Sequence, residues 1–195
     1  MEINSVKEYI LTKLDGLSSR LTYHKKQHTL DVLASIEDIV ANEEDVDEKS
    51  AHLLKVAALM HDTGFLEVYM NHEEKGCEYA KEWLPQFGYS KEDIDRICGM
   101  IMATKIPHNP KDRYEQMMCD ADLDYLGTDN YDKIAATLHK EWIYYGFVNS
   151  DEEWLDRQIG FLKLHRYYTP YFVKVRVAKK QETLERLEAK KAALD

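Results

Sequence analysis

Proline and glycine are scarce in this sequence, at four and eight residues in 195. Sandwiches and barrels of short strands need a turn roughly every 8–12 residues, and so little turn-forming material argues against them. Cysteine is scarcer still. Cys77, Cys98 and Cys119 are odd in number, widely spaced and without a CxxC pair, which argues against a disulfide framework or a zinc knuckle and makes a reducing cytoplasm the expected compartment. No run reaches the roughly 20 apolar residues of a membrane span. The opening residues, Met1 to Glu8, lack the apolar core of a secretion signal, so neither secretion nor a membrane partner is expected.

Positive charge is in deficit as well. Lys and Arg number 26 against 36 Asp and Glu, a net charge of −10. Such a field repels the backbone of a nucleic-acid polymer at long range, so no polymer partner is expected. A small nucleotide stays open, because local charge governs there. The sequence carries no signal of oligomeric state.

What is present is helix-forming material. The chain is 44% hydrophobic and 32% charged, a balance that suits a folded domain with its own core. Apolar residues recur at helical spacing, as in Val6, Ile10, Leu14 and Leu17, then Leu30, Leu33, Ile36, Ile39 and Val40, and no stretch alternates as a strand would. Further helices are expected over 47–60, 72–84, 90–101, 114–126, 131–145, 151–167 and 170–193. Gly64 is read as a helix stop, and Ser90 with Asp93 as a capping box. The expectation is an all-α, single-domain, multi-helix bundle over 1–195 with about nine helices, a motif-bearing core at about 20–130 and helices of 131–195 packed on it.

Three groups of polar residues interrupt these helices. His61-Asp62 follows the apolar run Ala57-Ala58-Leu59-Met60, where a partly buried imidazole and carboxylate are costly unless paired with each other or with a metal. His24 and His28 share a face if their segment is helical, as ligands or as a solvated His-Lys surface. Asp120, Asp122 and Asp124 alternate, so they cannot all face one way on a helix. At least one is expected to point inward toward a cation while the others cap neighbours or meet solvent.

In order, His28, His61-Asp62 and an Asp in an Ala-Asp-Leu context resemble the H…HD…D signature of HD-domain metal-dependent phosphohydrolases. Tyr23-His24-Lys25-Lys26-Gln27-His28 looks like the YHxxxH form of related cyclic nucleotide phosphodiesterases, and His72 to Gly76 is similar to a HExxG segment that often follows. The resemblance covers roughly Tyr23 to Leu126. It implies an HD-type helical bundle with a divalent ion held by His28, His61, Asp62 and either Asp122 or Asp120, with Asp122 favoured by its Ala-Asp-Leu context. Two imidazoles and two carboxylates suit manganese, iron, cobalt, nickel, zinc or magnesium without choosing among them.

The resemblance further implies hydrolysis of a phosphoester or phosphoanhydride, in a nucleotide or other small phosphorylated metabolite, by a metal-bound water. His24 is the expected general acid, and Asp62 can orient the water. Lys25, Lys26, Lys105 and Arg113 are the candidate cations for phosphate. His72 and Glu73 are expected beside the ligands rather than on the metal. Two-metal relatives place further histidines before the final Asp, and Met102 to His108 lacks them unless His108 swings in, so one ion is expected. Tyr167 to Thr169 are expected to pack the last helices, and His52 and His139 are given no role. Two other readings stand beside this one: a di-iron oxygenase on the same scaffold, and a non-catalytic nucleotide-binding regulatory module.

Overall fold

The structure is a computed structural model that describes residues 3–194; Met1, Glu2 and Asp195, the ends of the expected domain, lie outside them. Among the described residues there are nine α-helices and no strand: α1 (Ile3–Leu14), α2 (Lys26–Asn42), α3 (Glu48–Met60), α4 (His72–Trp83), α5 (Lys91–Ala103), α6 (Arg113–Asp122), α7 (Tyr131–Tyr145), α8 (Asp151–Leu164) and α9 (Pro170–Ala192). Short 3-10 turns follow three of them, at Thr63–Leu66, Leu84–Phe87 and Asp124–Gly127. No described helix is long and apolar enough to cross a membrane.

Helix starts follow local chemistry. Asp47 accepts from the Ser50 N–H, Asp112 from those of Tyr114 and Glu115, Ser150 from Glu153 and Thr169 from Phe172. Ser90 and Asp93 form the full reciprocal box. Each such cap contributes about 1 kcal/mol by satisfying an otherwise orphaned amide.

The core is organised on α3. Leu53, Leu54, Val56, Ala57, Ala58, Leu59 and Met60 are all buried, and a helix apolar on nearly every side belongs in the middle. It packs against α1, α2, α5 and α6, while α4 lies on α5 and α8 lies on α9. Cys77 of α4 and Cys98 of α5 meet at that interface, each thiol directed at the other's carbonyl at 3.5 and 3.7 Å.

Several helix ends differ from the periodicity. The helix expected over 114–126 stops at Asp122 and tightens into the turn Asp124–Gly127, and that expected to 167 stops at Leu164. Gly64 does not adopt the left-handed conformation of a helix stop; among the glycines only Gly88 and Gly146 have positive φ. Its reason is space. A Cβ on Gly64 would lie 1.9 Å from the His72 carbonyl oxygen, so only glycine lets the start of α4 close on the His61-Asp62 turn.

Candidate metal centre

Two helix ends and one helix start meet at one point. His61 caps the C-terminus of α3 with Asp62 just beyond it, Asp122 is the last residue of α6, and His28 lies in the first turn of α2. The C-terminal ends of α3 and α6 bring the negative ends of two helix dipoles to the same place, which favours a cation there. His61 and Asp62 are almost fully buried at 1% and 4% exposure.

The ligand-type atoms converge. Nε2 of His28 lies 3.1 Å from Asp122 Oδ1 and 3.4 Å from His61 Nε2. Asp62 Oδ2 stands 3.3 Å from His61 Nε2 and 3.5 Å from His28 Nε2. Atoms of His28, His61 and Asp122 all fall within 4.8 Å of one another, the grouping a single ion requires. His61 Nδ1 donates to the Ala58 carbonyl at 2.8 Å, which orients the ring with Nε2 facing the cluster, the nitrogen a metal would take.

Asp62 Oδ2 is buried without a hydrogen-bond partner, a state that costs about 1–3 kcal/mol or more for a charged group unless something positive meets it. Burial opposes charge on all of these groups, yet their mutual attraction prevails. The His61 imidazole is held well above its ordinary range by Asp62 and Asp122, while both carboxylates are pulled below theirs by the imidazoles. A divalent cation satisfies this N/O donor set in place of the protons. The residues present therefore fit a metal ion.

Asp120 does not take part. Its buried carboxylate accepts from the amides of Tyr168 and Thr169 at 2.9 and 2.8 Å and from the Thr169 hydroxyl at 2.7 Å, closing the start of α9 onto α6. The alternative that placed Asp120 on the metal is thus corrected, because two residues along a helix point its side chain about 200° away from that of Asp122. Burial raises its pKa to about 6, against the lowering effect of those hydrogen bonds. Asp124 is engaged by Ser35 and Arg176, and Tyr167 packs with its hydroxyl on the Leu123 and Asp124 carbonyls.

Around the cluster stands a ring of aromatic and titratable groups. His24 lies in the bend before α2 rather than on the helix, but its ring still comes within 6.1 Å of that of His28. Phe65 is sandwiched between the His24 and His72 imidazoles at 4.2 and 3.9 Å. His72 Nε2 sits 3.6 Å from both Asp62 Oδ1 and Glu73 Oε1, so Asp62 turns one oxygen to the histidine pair and the other to His72. His108 stays apart, its ring 6.5 Å from that of His165. His52 bonds to the Tyr89 hydroxyl, and His139 stacks on Trp154.

Glu141 of α7 is a partner that sequence reasoning missed. Fully buried, it accepts from His24 Nδ1 at 2.5 Å, from the Tyr69 hydroxyl at 2.8 Å and from the Tyr23 and His24 amides at 2.9 and 3.2 Å. Burial pulls the His24 imidazolium down, but the hydrogen bond to Glu141 and the nearby Asp62 charge more than offset it, so its pKa is raised. The available signal was position: Glu141 falls three residues after Leu138 and seven after Ile134, on the apolar face of α7.

Of the four expected phosphate cations, Lys25 alone lines a cleft with His28 and Asp122. Lys26 is turned to Asp15, and Lys105 to Glu74 and Asn71 on the rim of α4. Arg113 holds the Glu44 and Asp45 carbonyls at the far end of α6, about 13 Å of helix rise from Asp122. Each is drawn off by a nearer acceptor. Lys133, which the sequence did not single out, lines the same cleft as Lys25.

A family model described as HD domain matches residues 26–125. No curated protein and no solved structure matches the chain.

Proposed function

The chain belongs to the HD-domain family, a family of mostly metal-dependent hydrolases that bind divalent ions, and we propose on that premise that it hydrolyses a small phosphoester or phosphoanhydride. The observation that carries the reading is the convergence of His28, His61 and Asp122, with the unpartnered Oδ2 of Asp62 beside both histidines. One ion per chain is expected at these four residues. A divalent ion held there supplies Lewis acidity and brings the ionisation of water into the neutral range.

The remaining roles belong to side chains of this chain. His24 holds a proton on the imidazole whose Nδ1 is tied to Glu141, leaving Nε2 as the nitrogen available to a substrate. Against the opposing effect of burial, the hydrogen bond to Glu141 and the nearby Asp62 charge raise its pKa, the direction that favours a group protonating a leaving oxygen. Glu141, itself held by Tyr69 and two backbone amides, is a positioning residue. Asp62 would both hold the ion and orient a water beside it, its Oδ1 lying 3.6 Å from His72 Nε2, and Lys25 lies at the cleft edge where phosphate charge would sit. His72 and Glu73 steady Asp62 from the other side.

The test is release of phosphate or alcohol by the full chain loaded with Mn²⁺, over nucleoside mono-, di- and triphosphates, cyclic nucleotides and simple alkyl and aryl phosphates. Turnover lost in His61→Ala and Asp62→Ala supports the reading. Undiminished turnover in both variants would exclude it.

A further inference from the structure

Two clefts open on the metal centre, divided by Tyr23, Asp122 and Tyr125, which line both. One, of about 720 Å³, is the less apolar of the two, with Lys25, Asp31, Ser35, Asp38, Asn130 and Lys133 on its walls. The other, of about 700 Å³, runs between α7 and α8 and ends on Asp62, Asp122, His24 and His72. Helix α8 packs mainly on α9 and meets α7 at Trp154, which stacks on His139 and touches Trp142 edge-on at 5.5 Å, and at Gln158, which accepts from the Tyr131 hydroxyl, so the cleft lies beside these contacts.

The second cleft is walled by apolar side chains. Leu138 and Trp142 of α7 face it from one side and Trp154 and Phe161 of α8 from the other, all only half-buried. At the rim, Leu164 is 87% and Ile106 53% exposed. Apolar surface held open in water beside a buried ionic cluster is costly unless an apolar group covers it. The inner end, by contrast, is polar, and a divalent ion held by Asp62 and Asp122 there would meet a phosphate group. His24 lines this cleft and not the first one, so the leaving group that it protonates must lie on the apolar side.

We propose that the α7–α8 cleft receives the alcohol portion of the substrate, and that the phosphoester this chain cleaves therefore carries an alkyl or aryl leaving group rather than a sugar. This rests on the hydrolase reading above. In the reaction, water adds its oxygen and one hydrogen to phosphorus and the P–O bond to the alcohol breaks. The departing oxygen takes the His24 proton, and the second proton of the water restores the imidazolium. Phosphate leaves through the first cleft past Lys25 and Lys133.

Gly160 supplies a variant that keeps the fold. It lies within α8 on the cleft wall, and a Cβ there meets nothing within 4 Å, so Gly160→Phe adds bulk at the cleft wall from a position with room for a side chain. In the Mn²⁺-loaded full chain, kcat/KM should climb from glycerol phosphate through butyl to hexyl phosphate, by up to about fourfold per buried methylene. Gly160→Phe should collapse that dependence. Separately, 2-naphthol should quench tryptophan emission, since Trp142 and Trp154 are two of only three tryptophans, and the quench should weaken in Gly160→Phe.

Hydrolysis with no chain-length dependence, or nucleoside monophosphates cleaved faster than hexyl phosphate, overturns the cleft assignment and leaves the hydrolase reading intact. Quenching by 2-naphthol that Gly160→Phe weakens, with no ester cleaved at all, keeps the cleft as an apolar binding site and removes the hydrolase reading.

Discussion

The molecule contains two histidine–carboxylate arrangements a few ångströms apart, and they are built for opposite ends. In the first, the Nε2 atoms of His28 and His61 face Asp62 and Asp122 across 3.1–3.5 Å, with one carboxylate oxygen left unpartnered. In the second, His24 and Glu141 form one short contact at 2.5 Å, and every neighbour of Glu141 donates to it. The first leaves a carboxylate oxygen unpartnered, which a cation among the four groups would satisfy. The second is complete with a single proton. The same residue types thus give a metal site or a proton store according to how many donors surround the carboxylate.

Breaking the first arrangement should have the largest effect. His61→Ala removes a donor that Ala58 holds in register, and turnover should fall on the order of 10³-fold or more, beyond the usual cost of one transition-state hydrogen bond. Loss of bound Mn²⁺, measured by elemental analysis, should accompany it. His24→Ala should keep its metal and lose about 10²–10⁴-fold, with poor leaving groups suffering more than good ones; equal losses would remove His24 from the proton-donating role.

Glu141→Gln sharpens the contrast. The amide can keep a hydrogen bond to His24 but not the charge that raises its pKa. The imidazolium should then be lost at lower pH, moving the basic limb of the kcat/KM profile toward acid, with a rate loss of about 10–100-fold. A profile unchanged in shape would make Glu141 a structural residue only. The same ion pair bears on stability in a definite window. Its histidine contribution is present below the unfolded imidazole pKa and fades as pH rises through the raised folded value, and its Glu141 contribution fades as pH falls through the lowered one.

Asp120 carries the smallest effect, on stability rather than activity. Its folded pKa of about 6 lies above that of an unfolded aspartate, so the folded state binds the extra proton. Stability from this group is fully present below about pH 4 and lost as pH rises through 6. Relative to wild type, Asp120→Asn should therefore gain up to about 3 kcal/mol between pH 4 and 7 in denaturant unfolding, whatever the offset at the start. A difference that does not vary with pH would contradict the raised pKa.

Helices were legible in the sequence wherever one face alone meets the core. The spacing of apolar residues in α2 and α7 and the Ser90–Asp93 box of α5 lead directly to the observed elements. Helix ends were less so. The spacing from Met117 to Leu126 runs on through Asp122, because the 3-10 turn Asp124–Gly127 keeps Leu126 buried at nearly the same register. Gly64 looked like a stop when its role is to admit the backbone of His72, a contact between segments that no local pattern encodes. The choice between Asp120 and Asp122 likewise depends on Tyr168 and Thr169, some fifty residues on, which claim one carboxylate and leave the other to face the histidines. Glu141 and Lys133 escaped for the same reason: α7 has to fold back over the bend at Tyr23-His24 before either has a role.

The most direct test is a Mn²⁺ titration of the full chain followed by thermal unfolding, in wild type and in Asp122→Ala. Binding only to the folded state should stabilise wild type by about 2.7 kcal/mol at a hundredfold excess over Kd, saturating at one ion per chain, and Asp122→Ala should show little or no shift. An equal shift in Asp122→Ala, or none in wild type, would contradict a metal centre at His28, His61, Asp62 and Asp122.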